Sequence, residues 1–73
     1  MTYENEGKLI KNGSGRWEII FKDEYSFELT SGCSCEVKIG PHWIYTTIEF
    51  GRDAYYATTP GVQLYKGQPA RRL

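Results

Sequence analysis

A chain of 73 residues has room for one domain, residues 1–73, and a domain of that size buries only about 60% of the surface its unfolded chain exposes, so one modest core is expected. Apolar residues at 40% and aromatics at 15% exclude a disordered chain. Nine Lys and Arg balance nine Asp and Glu, which removes the net positive field that bulk-charge binding to nucleic acid or to an anionic membrane needs.

In chain order, residues 7–11 read as a short first strand, closed by the turn Asn12-Gly13-Ser14-Gly15. Residues 16–21 then alternate, with Trp17, Ile19 and Phe21 on one face. After the polar break Lys22-Asp23-Glu24, Tyr25, Phe27 and Leu29 alternate with Ser26 and Glu28 up to a turn at Thr30-Ser31-Gly32. Cys35, Val37 and Ile39 continue the period of two against Glu36 and Lys38, until Gly40-Pro41-His42 breaks the run, since proline has no amide hydrogen to give a ladder.

Residues 43–50 are rich in aromatic and β-branched types and read as a central strand. Gly51-Arg52-Asp53 makes the next turn and residues 54–58 another strand. Beyond the loop Thr59-Pro60-Gly61, the tail leaves room for one last short strand.

Nowhere do apolar residues recur at three and four over the length of a helix, and turn signals arrive about every 8–12 residues. The pattern predicts an all-β fold, a small SH3-like antiparallel barrel of five to six short strands. Its predicted core is Leu9, Ile19, Phe21, Phe27, Leu29, Val37, Ile39, Ile44, Ile48 and Tyr56. In the central hairpin, pairing Ile39 with Ile44, Val37 with Thr46 and Cys35 with Ile48 gathers apolar side chains on one face. Lys38 then faces Tyr45, and Glu36 faces Thr47, on the other.

Residues 35–49, with a Trp just after the turn and alternate residues pointing inward, resemble the central hairpin of SH3-like barrels, Tudor domains included. A longer pattern joins Gly7-Lys8-Leu9, Gly15-Arg16-Trp17-Glu18, Leu29-Thr30-Ser31-Gly32, Glu36-Val37, Trp43 through Glu49, Tyr55-Tyr56 and Leu64 through Gly67 to Arg71. It is similar to the domain-of-unknown-function 5348 family, short uncharacterised domains of Gram-positive bacteria often encoded on phages, plasmids and conjugative elements. That resemblance implies a cytoplasmic accessory protein and supplies no catalytic residues. The chain departs from the family pattern at Cys33-Ser34-Cys35, where acidic or apolar residues are usual.

A cytoplasmic location is also expected from the opening Met1-Thr2-Tyr3-Glu4-Asn5-Glu6, acidic where a secretory leader is basic and then apolar, and from the lack of a membrane-length apolar run. Cys33 and Cys35 make half of a zinc site; even with His42 a fourth ligand is missing, and a bond between the two would close a strained ring. Reduced cysteines, no metal and no cofactor are expected. One histidine, in a turn, and scattered serines and acids give no nucleophile beside a base, so the chain reads as a non-enzyme.

Two Trp, six Tyr and three Phe exceed what such a core can bury. Some must face outward, and Trp43, Tyr45 and Tyr55, bordered by Lys38 and Arg52, are predicted to form a strip that binds another protein. The alternative is a single-strand nucleic-acid site in which Tyr45 and Tyr55 act with Tyr65, Lys66, Arg71 and Arg72. Neutral charge favours the protein partner.

Overall fold

The structure is a computed structural model and describes residues 5–73; the acidic opening, residues 1–4, lies outside the described residues. Seven strands follow one another: β1 (Glu6–Lys11), β2 (Trp17–Phe21), β3 (Ser26–Leu29), β4 (Ser34–Ile39), β5 (His42–Gly51), β6 (Ala54–Ala57) and β7 (Pro69–Arg72). They form one sheet in the order β3-β2-β1-β7-β4-β5-β6, with every neighbouring pair antiparallel. Among the described residues there is no helix, hence none long and apolar enough to cross a membrane.

Two three-stranded meanders, β1–β3 and β4–β6, are stitched together by the tail strand β7, which pairs with β1 on one side and β4 on the other. This strand raises the count from the five or six expected to seven. Proline suits its first position, Pro69, because a missing amide hydrogen is tolerated at a strand start. The sheet curls into a half-barrel, and one side chain reaches across its opening: Trp17 Nε1 on β2 donates to the Tyr55 carbonyl on the edge strand β6 at 3.4 Å.

The concave side is the core, made of Leu9, Trp17, Ile19, Phe21, Leu29, Cys35, Val37, Ile48 and Ala70. Six of these belong to the core predicted from sequence, and Trp17 and Cys35 lie on the faces that its alternation turns inward. Four predicted core residues sit differently: Phe27 and Ile44 are half-buried, while Ile39 and Tyr56 are exposed. The turn lengths explain the last two.

The β4–β5 hairpin closes on Gly40 and Pro41 alone, with φ of 58° at Gly40, the positive angle that the first central position of a two-residue hairpin turn favours. His42 therefore belongs to β5, and Ile39 faces it at the hairpin end, beyond the core. The true pairs are Val37 with Ile44 and Cys35 with Thr46, a slip of two residues from the predicted register. Because two is the side-chain period, every residue keeps its predicted face. On β6 the faces are reversed, since pairing Phe50 with Tyr55 turns Tyr55 to the side of Ile48 and leaves Tyr56 outside, opposite Glu49.

Two polar side chains are buried among these apolar ones, each fully partnered. Thr46 Oγ1 accepts from the Thr59 amide and lies 2.9 Å from the Thr59 hydroxyl. Gln68 donates from Nε2 to the Lys38 carbonyl and accepts at Oε1 from the Tyr65 amide. Gln68 faces inward by the alternation that also buries Ala70, and a bulge ends the pairing there: Gly67, at φ 85°, donates to the Leu9 carbonyl while the Leu9 amide donates to the Gln68 carbonyl. Two residues thus oppose one, with glycine in the left-handed position.

Complete burial of Cys35 has a measurable consequence. Desolvation, with smaller contributions from Cys33 and Glu36, pushes its thiol pKa up to about 11. The unfolded chain releases that proton near pH ~8.5, so between there and about 11 the unfolded state binds fewer protons and stability falls as pH rises. Urea unfolding at pH 7.5 and pH 10.5 should show a loss on the order of 2 kcal/mol beyond that of Cys35→Ala, which lacks the thiol. Equal losses in the two proteins would show that Cys35 ionises as freely folded as unfolded.

Candidate functional site

The convex face of β7, β4 and β5 carries the residues that the core leaves over. Alternation that sends Cys35, Val37, Thr46 and Ile48 inward sends Ser34, Glu36, Lys38, Trp43, Tyr45 and Thr47 outward. Cross-strand register orders them in rows. Glu36 is flanked by Arg71 on β7 and Tyr45 on β5, and Lys38 lies opposite Trp43.

Arg71 Nε donates to Glu36 Oε1 at 2.8 Å, and its guanidinium lies over the Trp43 ring, 4.0 Å from the centroid. Lys38 Nζ approaches the same ring at 5.9 Å. Stacking on an indole while bonding a carboxylate in plane uses both features of a guanidinium, so lysine could not replace Arg71 here. Beside this group the Tyr45 hydroxyl donates to Ser34 Oγ at 2.9 Å, while the residue remains 57% exposed. The ring is fixed at its tip and bare along its side.

Trp43, Tyr45 and Lys38 thus share one surface as the sequence predicts. Tyr55 does not join them. It is half-buried on the concave side, tilted against Phe50 with centroids 4.8 Å apart, and its hydroxyl accepts from Arg16 Nε at 3.0 Å. That bond raises the pKa of Arg16 and holds its charge at the rim of the barrel. Arg52 is exposed at the β5–β6 turn with φ of 58°, away from the row that holds Lys38 and Trp43.

The cations of the nucleic-acid alternative are divided. Arg71 and Arg72 alternate along β7, so Arg71 covers Trp43 on the convex face and Arg72 lies over Phe27, 4.3 Å from its centroid, on the concave one. Tyr65 and Lys66 are exposed in the bend before Gly67. Sequence reading left Arg71 out of the protein-binding strip because nothing in a Gly- and Pro-containing tail announces a central strand; only its pairing with β4 brings it to Trp43.

Cys33 and Cys35 are both thiols, half-buried and buried, and Cys33 Sγ sits 3.5 Å from Thr30 Oγ1. Among the described residues no three His, Cys, Asp or Glu side chains gather where a metal could be held. An open trough of about 540 Å³ lies between Ile39, Ala57, Val62 and Tyr65, and none of its lining residues is acidic or basic.

No curated protein and no solved structure matches the chain. The family described as "Domain of unknown function (DUF5348)" matches residues 7–71, a span that begins on β1 and ends at Arg71 on β7 and so takes in the core and the convex surface alike; the chain belongs to that family.

Proposed function

We propose that this domain is a non-enzymatic recognition module that binds another protein through the convex face of β7, β4 and β5. The observation that carries the reading is the exposed Tyr45 beside the Arg71–Trp43 stack. Tyr, Trp and Arg are the side chains enriched at interface hot spots, because each joins a large apolar surface to a polar handle at small entropic cost. A core on one side of the sheet and this group on the other fits a scaffold that displays rather than encloses. Non-enzymatic character is supported by the chemistry of the open trough, which has neither a nucleophile–base pair nor a shielded wall. The same proposal sets the domain in the cytoplasm as an accessory protein of a mobile element or its host, which the identity of the neighbouring genes checks.

Tyr45→Ala tests the site. Stability should stay within about 0.5 kcal/mol of the parent, as for other surface changes. Affinity for a partner recovered by crosslinking from the native cell should fall by on the order of 2 kcal/mol, the loss typical of a hot-spot aromatic. Unchanged affinity would remove Tyr45 from the site. Binding to oligothymidylate that weakens steeply with salt would replace the protein reading by the single-strand nucleic-acid one.

A further inference from the structure

From the charges on the convex face we infer the class of partner: an acidic segment in extended conformation, laid across the strands with two carboxylates spaced to meet Lys8 and Lys38. The inference rests on the protein-binding reading above. Pairing of Lys8 with Pro69, and of Val37 with Ala70, means that one further step of register brings Lys38 beside Pro69. Lys8, Pro69, Lys38 and Trp43 therefore form one row over four strands, β1, β7, β4 and β5.

In the adjacent row Arg71 lies between Glu6 and Glu36, opposite both, and bonds Glu36. Those two carboxylates have a cation of the domain itself between them. Lys8 and Lys38 have none of its anions: among the described residues neither forms an ion pair, and the one contact of this kind is that of Lys38 with the Trp43 ring. Proline between them adds no side-chain polar group. The row thus presents two lysines whose backbones stand two inter-strand spacings apart, about 10 Å, and ends on an aromatic surface formed by Trp43 and Tyr45.

An extended segment of polyproline II type advances about 3.1 Å per residue with three residues per turn, so carboxylates at positions i and i+3 lie on one side about 9 Å apart, close to that distance. An apolar or aromatic residue beyond the second carboxylate would lie on Tyr45. Rim charges of this kind steer a partner and fix its register more than they hold it. The aromatic pair supplies the contact area.

Selection of random 12-residue displayed peptides on the purified domain, followed by fluorescence anisotropy with the selected peptides made synthetically, tests the inference. The expected peptides carry Asp or Glu three positions apart next to an aliphatic or aromatic residue. Lys8→Glu combined with Lys38→Glu should weaken them at least tenfold while the melting curve stays that of a folded domain, and Lys8→Gln with Lys38→Gln should weaken them less. Selected peptides without that acidic pair, indifferent to charge reversal but lost with Tyr45→Ala, would overturn the inference and leave the convex-face reading in place. Peptides indifferent to all these changes, or binding of oligothymidylate in place of any peptide, would overturn both.

Discussion

Truncating Ile48 to Ala should lower stability by about 2–5 kcal/mol, the range for emptying a buried aliphatic site. Ile48 has no exposed surface, and its backbone is bonded twice to the segment before β4: its carbonyl accepts from the Gly32 amide at 2.7 Å and its amide donates to the Cys33 carbonyl at 2.8 Å, while Ala57 of β6 pairs with it on the other side. The walls of the site are therefore held in place by main-chain bonds and cannot collapse far into the void. A domain of 73 residues has a total stability of about 4–11 kcal/mol at the usual value per residue, so the loss would remove a large share of it. Urea denaturation against Ile48→Val, expected to cost about 0.5–1.5 kcal/mol, measures the effect. A loss from Ile48→Ala no larger than from Ile48→Val would mean that this position does not bear on the core.

Why Ile48 was legible and Tyr55 was not comes down to parity. Alternation along β2, β4 and β5 runs for five residues or more, and such a run determines which side faces in whatever the register. Pairing Val37 with Thr46 instead of Ile44 was thus harmless to the face assignment. On β6 the sequence offers Ala-Tyr-Tyr-Ala, in which either tyrosine could be the inward one. Only the two-residue turn at Arg52 and Asp53, with Arg52 in an angle that favours glycine, decides for Tyr55.

Gln68 and Ala70 illustrate a different limit. A polar residue and a small one in a tail with glycine and proline give no hydrophobic pattern, yet both are completely buried. Their burial comes from β7 lying between two meanders about sixty and thirty residues away in the chain. Non-local pairing of that kind leaves no local trace. The same omission hid Arg71, whose place over Trp43 follows from the position of β7 rather than from anything near it in sequence.

Gly7→Ala should be nearly as damaging as the loss of Ile48, for the opposite reason: it adds an atom where there is no room. Gly7 is paired with Phe21 on β2 and with Ala70 on β7, so it stands in the middle of three adjacent strands. A Cβ there would lie 2.2 Å from the Ile20 carbonyl oxygen and 2.9 Å from Ile19 Cγ2. The oxygen is main chain and cannot rotate aside as a side chain could, so β1 and β2 must separate and strain the ladder between them. Overpacking of a tight site costs about 1–3 kcal/mol, and the involvement of backbone puts this case at the upper end or beyond. Gly13→Ala is the control, since a Cβ at that turn position meets nothing within 4 Å. Urea midpoints of the two variants should differ by the equivalent of at least about 2 kcal/mol, with Gly13→Ala close to the parent. Equal midpoints would mean that β1 and β2 are farther apart at Gly7 than the ladder from Gly7 to Lys11 implies, and that the sheet is loosest where β7 begins to join its two halves.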